Sequence, residues 1–251
     1  MELAFDLVVL LMLAAFVAGC IDAIAGGGGL ITLPALVLAG APPVTAIATN
    51  KVQGVFGAGM AAWTYGRAGH VDLRKQIGPA LIAFAAAMVG ALLTSKLPTE
   101  VIRLGLPILL IAIALFFAFK PGLDDIDTSR KISAGVFVLT IVPLVAFYDG
   151  VIGPGTGAFF IIGFVALAGF GVLKATAHTK LLNFASNAGG IAIYAVVAEP
   201  WWIVGLCMAA AQIAGAALGA RLAMRVGARL IKPVVVIAAT ALALRLLWDM
   251  I

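Results

Sequence analysis

Asp22-Ala23-Ile24-Ala25-Gly26-Gly27-Gly28-Gly29-Leu30-Ile31-Thr32-Leu33-Pro34 places four consecutive glycines between two apolar runs. The run before them, about 5 to 24, is long enough to cross a bilayer, which takes about 20 mostly apolar residues. The run after them, 30 to 39, is too short. A second interruption, Gly153-Pro154-Gly155-Thr156-Gly157, precedes another short run, 157 to 170, and here too an aspartate, Asp149, stands four residues ahead. Backbone released from helical bonding at membrane depth is tolerated only where protein or a wet cavity satisfies it. Two such breaks predict two hairpins of helix buried inside a membrane protein.

The rest of the chain agrees. Of 251 residues, 64% are hydrophobic and 11% charged, against about one quarter charged in a soluble domain. Further apolar runs at 44 to 65, 77 to 95, 101 to 119, 132 to 148, 175 to 198, 201 to 222 and 230 to 248 leave only short loops and no room for an extramembrane domain. The net charge of +5 comes from Lys and Arg scattered through those loops, a pattern of membrane orientation and not of a nucleic-acid patch. Met1 to Gly19 lacks the basic start of a signal peptide, and is taken as part of the mature protein. Cys20 and Cys207 lie in apolar stretches and read as packing residues.

The breaks belong to a wider duplication. Asp22 pairs with Asp149, Ala46-Ile47-Ala48-Thr49-Asn50-Lys51 with Ala175-Thr176-Ala177-His178-Thr179-Lys180, and Gly90-Ala91-Leu92-Leu93 with Gly215-Ala216-Ala217-Leu218. Arg103-Leu104 with Pro107 matches Arg229-Leu230 with Pro233. The offset runs only from 125 (Gly90 to Gly215) to 129 (Lys51 to Lys180). The chain therefore reads as one membrane domain of two repeats, 1–120 and 132–251, joined by a linker, 121–131.

Basic loops change places between the repeats. Arg67, Arg74 and Lys75 follow the second helical element of the first half, whereas Arg221, Arg225, Arg229 and Lys232 follow the third of the second half. The positive-inside rule then turns the halves opposite ways, with these loops and the linker in the cytoplasm. The expected fold is all-α: two inverted repeats, each a broken or re-entrant helix pair plus three spans, with both termini outside the cytoplasm.

Inverted repeats with helices broken at matching positions point to a transport site near the midplane. Gly26, Gly27, Gly28 and Gly29, and Gly153, Gly155, Thr156 and Gly157, would offer an anion the free N–H groups of two helix starts. Lys51 lies about two turns into the helix that begins at Pro42-Pro43, and its repeat in Lys180 predicts a charged pair about the two-fold axis rather than snorkelling side chains. Asn50, Gln53, His178, Thr179 and Asn183 are the expected hydrogen-bonding partners. Asp22 and Asp149 have two open roles, structural groups that cap the breaks or pair with the repeat lysines, or proton carriers. Gly90 and Gly215 read as packing glycines. No P-loop, HExxH, GxSxG or zinc spacing occurs, so no enzyme, cofactor or metal is expected.

Asp22 through Pro34 with Ala48-Thr49-Asn50-Lys51 resembles the first half of the TauE/SafE sulfite exporter (TSUP) family. Phe147-Tyr148-Asp149-Gly150, Gly153 to Gly157 and Lys174 to Asn183 are similar to its YfcA-like branch. The resemblance implies a multi-pass inner-membrane transporter, an exporter of sulfite, organosulfonates or related anions. A channel for the same anions, a membrane scaffold without transport and an intramembrane enzyme are the competing readings. Partners expected are a small anion, the bilayer, and protons or another coupling ion.

Overall fold

The computed structural model describes residues 4–94 and 124–231 and a few positions from 233 to 240. The expected span 101–119, most of 230–248 and the first three linker residues fall outside them. Helix α1 covers Phe5–Ala25 and stops at Gly26, whose φ of 77° is a left-handed conformation that suits glycine. Helix α2, Gly29–Leu38, starts immediately after the break. Helix α3, Pro43–Arg67, opens on a proline in its first turn, where the missing N–H costs nothing. A 3-10 turn, Arg74–Gln76, leads into α4, Ile77–Leu93.

The second half repeats that order. Helix α5 runs Ala134–Val151, α6 Thr156–Ala166, α7 Val172–Val197 and α8 Trp202–Val226. Within α5, Phe137–Ile141 widens into a π turn. Pro143 follows it, and a proline nitrogen cannot donate to the carbonyl four residues back.

Both short helices fold back along the helix that precedes them. Leu36 at the end of α2, with Ala41 and Ala46, packs in one cluster with Leu11 and Ala15 of α1. Gly163 of α6 likewise meets Ile141 and Phe137 near the start of α5. Each break is therefore the tip of a hairpin.

The halves interlock. Helix α1 lies along α8, with Leu11 beside Met208, and with Phe16 and Cys20 beside Gly215 and Gly219. Helix α5 lies along α4 in the same way, Phe147 against Gly90 and Gly150 against Ala87. A Cβ on Gly90 or Gly215 would overlap the neighbouring backbone, so these two are packing glycines, as expected. Helices α3 and α7 cross at the centre in opposite senses: Lys51 lies against Gly190, Gly54 against Asn187 and Gly59 against Phe184.

Four described helices are long and apolar enough to cross a membrane: α1, the segment Arg74–Leu93 containing α4, α5 and α8. Their outer faces expose Leu10, Leu13, Leu81, Leu139, Leu144 and Ile203, a belt suited to lipid and not to water. At one end the basic segments gather. Asp125 of the linker accepts from the backbone N–H of Leu173 and of Ala228, both at 2.9 Å, and Arg130 shares a crevice with Gln76 and Pro79 at the start of α4.

Candidate functional site

The two breaks meet in the middle of the molecule. Ala158 N–H donates to the Gly26 carbonyl at 3.3 Å, and a Cβ on Gly26 or Gly157 would overlap the other's backbone. Consecutive glycines thus serve contact between the hairpin tips as well as turning. Each tip is also tied to the long helix of its own half. The Tyr65 hydroxyl donates to Ala23 O at 3.0 Å, and its repeat counterpart Tyr194 donates to Gly150 O at 2.9 Å.

The lysines reach the opposite half. Lys51 Nζ of α3 stands 2.7 Å from Asp149 Oδ1 of α5, and Lys180 Nζ of α7 stands 3.9 Å from Asp22 Oδ2 of α1. Both lysine side chains are fully buried. A buried charge left alone is strongly destabilising, so each aspartate neutralises the cation of the other repeat. Neither lysine snorkels.

The pairs differ in detail. Lys180 Nζ hydrogen-bonds the Asp22 backbone carbonyl near the end of α1, where a cation favours the helix dipole. Asp22 Oδ1 accepts from Gly28 N–H at 3.2 Å, holding the first break together. Asp149 Oδ1 accepts from Thr156 Oγ1 at 2.8 Å while facing Lys51. The Lys51 ammonium is close to that oxygen but off the hydrogen-bonding direction, and Asp149 Oδ2 has no partner. Gly153, at φ 97°, leaves the space the Lys51 tip occupies.

Between the tips lies a cavity of about 30 Å³ lined by Asp22, Asp149, Gly26, Gly29, Gly153, Gly155, Thr156, Gly157, Asn50 and Asn183, all expected site residues, and by Gly54, Asn187 and Gln212. One water needs about 10 to 15 Å³ on this measure, so the cavity has room for about two waters. Gln53 stands behind it, donating to Asn50 Oδ1 at 3.0 Å. Gly27 and Gly28 form the turn and do not line it. Thr179 bonds the Ala175 carbonyl within α7. His178 lies outside the lining, with Nδ1 2.9 Å from Lys174 O and its ring among Phe164 and Phe170.

Gln212 of α8 is the residue that sequence reasoning passed over. It is the single amide in the stretch from Trp202 to Leu218, and that isolation is the signal that could have marked it. Gly19 of α1 and Gly57 of α3 make room for its side chain, and its Oε1 has no partner. Among the described residues no group of three or more His, Cys, Asp or Glu side chains could hold a metal. Lys51 and Lys180, expected to bind the substrate, do not line this cavity; they stand behind the two carboxylates that do, beside amide side chains and two helix starts.

Comparison with known proteins gives a family match. The family described as sulfite exporter TauE/SafE matches residues 11–246. A probable membrane transporter protein ORF9 of Sinorhizobium is 54% identical over 248 residues, covering 99% of this chain and 95% of the relative. A probable membrane transporter protein of Haemophilus influenzae is 40% identical, covering 99% and 98%. The probable membrane transporter protein YfcA of Escherichia coli K12 is 41% identical, covering 95% and 89%. No solved structure matches.

Proposed function

Since the chain belongs to the TauE/SafE sulfite exporter family of membrane transporters, we propose that it exports a small sulfur-containing oxyanion, sulfite or an organosulfonate, by alternating access. The observation that carries this reading is the crossed pairing of Lys51 with Asp149 and Lys180 with Asp22 at the point where both broken helices meet. An anion entering there finds two ammonium groups, backbone N–H groups at the starts of α2 and α6, and the side chains of Asn50, Thr156 and Asn183.

Alternating access needs two halves that exchange roles. The antiparallel crossing of the equivalent helices α3 and α7 supports an axis lying in the membrane plane, and so an inverted repeat. The exchanged packing of α1 on α8 and of α5 on α4 supports it as well. The end that gathers Arg67, Arg74, Arg130 and Arg225 is cytoplasmic under the positive-inside rule. On this reading the N-terminus lies on the far side of an inner membrane, and the C-terminus with it if one more span follows Arg229.

The test is a thermal shift of detergent-purified protein with sulfite, sulfate, simple sulfonates and small carboxylates. Sulfur oxyanions raise the unfolding temperature and Lys51→Gln removes the shift. Equal shifts in wild type and Lys51→Gln would break the assignment of the site. A C-terminal reporter active only in the cytoplasm would break the topology.

A further inference from the structure

Resting on that reading of anion transport, we infer that the site is coupled to protons through Asp149 alone, one proton per monoanion, and that Asp22 is a structural carboxylate. The two aspartates occupy the same repeat position, yet their oxygens are committed differently. Asp22 has Oδ1 on Gly28 N–H and Oδ2 3.9 Å from Lys180 Nζ, and that ammonium is anchored on the Asp22 backbone carbonyl, whereas Lys51 has no such anchor. Asp149, a residue of the cavity lining, has Oδ1 on Thr156 Oγ1 and beside the Lys51 ammonium, and neither its buried Oδ2 nor Lys51 Nζ has a hydrogen-bond partner.

Charge balance supplies the step. Before binding, Lys51 and Asp149 sum to zero in a buried region with room for about two waters, too few to solvate an excess charge. A monoanion taking Lys51 for itself leaves two negative groups beside one positive one, an expensive state at low dielectric. One proton from the side on which the anion enters, added to Asp149 Oδ2, restores neutrality: ammonium, anion and neutral acid. On the other side the anion leaves, the acid gives up its proton, and the carboxylate returns to Lys51. No bond other than O–H forms or breaks. The titratable groups facing Asp149 are Lys51 from α3 and Tyr194 from α7, with Tyr148 beside it on α5. Helix α6 adds the Thr156 hydroxyl, and α4 presents only Ala87 and Gly90 nearby. Among the described residues Lys51 is therefore the one charged group paired with Asp149, and Asp22 of α1 lines the same cavity.

The experiment measures methanesulfonate affinity against pH for wild type, Asp22→Asn and Asp149→Asn, because a sulfonate stays ionised throughout and cannot itself create a pH dependence. Wild-type affinity falls up to tenfold per pH unit on the alkaline side, the slope for one linked proton. Asp149→Asn binds with a flat profile and Asp22→Asn keeps the slope. In parallel, the heat of methanesulfonate binding to wild type in two buffers of different ionisation enthalpy reports uptake of one proton, which needs no variant to fold; sulfite, which itself takes up a proton near neutral pH, serves only as a second binding probe. A slope retained in Asp149→Asn, or no buffer dependence, overturns the inference and leaves anion transport standing. Failure of both anions to bind wild type overturns the transport reading and the inference together.

Discussion

The two breaks are built from equivalent positions and end up doing different work. At the first, Asp22 and Lys180 close on backbone: one takes Gly28 N–H, the other the Asp22 carbonyl. At the second, Asp149 and Lys51 face each other directly and keep an unused oxygen and unused ammonium hydrogens beside the cavity. Duplication supplies two copies of a charge pair. The geometry spends one on holding the hairpin tips together and keeps the other exchangeable.

The contrast breaks most visibly in stability. Lys180→Gln leaves Asp22 unpaired and the end of α1 uncapped, and is expected to cost about 3 to 5 kcal/mol, the range for breaking a buried pair. Lys51→Gln costs clearly less, because Lys51 Nζ makes no hydrogen bond to Asp149, whereas Lys180 also ties down the end of α1. Thermal unfolding of both variants in detergent measures the difference, and equal losses would erase the distinction between the pairs.

Affinity should reverse the order. Lys51→Gln loses about 2 to 3 kcal/mol of anion binding, roughly a hundredfold at the upper end, while Lys180→Gln, assayed where it is folded, stays within about fivefold. Titration of the anion that gives the largest thermal shift decides it. A smaller effect sharpens the asymmetry: Gln212→Ala removes an amide that the other half lacks, since its repeat position is Ala87, and is expected to cost about 1 kcal/mol in affinity with little change in unfolding temperature. Unaltered affinity would place Gln212 among the packing residues.

Much of this was legible in the chain. The glycine runs, the repeat offset and the lysines inside spans are local or periodic signals, and each of them maps onto an element of the structure. Pairing of the aspartates with the repeat lysines was an open reading, but that each lysine takes the aspartate of the other half was not legible, because Lys51 and Asp149 are brought together by the crossing of α3 over the second hairpin, a tertiary event with no trace in spacing. Tyr65 and Tyr194 were missed for the same reason, although they lie 129 residues apart as the lysines do. His178 was drawn into the site by its neighbours in sequence. A helix turns about 100° per residue, and its ring faces Phe164 and Phe170 instead.

The smallest effect tests whether the linker belongs to this division of labour. Asp127 accepts from Gly171 N–H at 2.9 Å and pairs with Lys174, and these contacts hold its carboxyl below the usual range. A carboxyl with a depressed folded value stabilises above its unfolded value, near 3.9, and loses that contribution as pH falls through the folded one. Protease cleavage within 124–131 should therefore rise as pH drops below about 4, and Asp127→Asn should show the raised cleavage at neutral pH. A variant that cleaves like wild type at both pH values would leave the linker without a role in holding the start of α7.

The exchanged packing of α1 on α8 has a consequence for biosynthesis. Helix α1 ends at Ala25 and α8 begins at Trp202, so during translation α1 is inserted long before the surface that covers Gly19 and Cys20 exists. Until the last quarter of the chain emerges, the first hairpin has to wait among lipids or beside the insertion machinery. Lys51 waits with it, since its counter-ion comes from the second half. Co-expression of the two halves as separate chains, cut within the linker, should yield assembled transporter, and either half expressed alone should be cleared by membrane proteases.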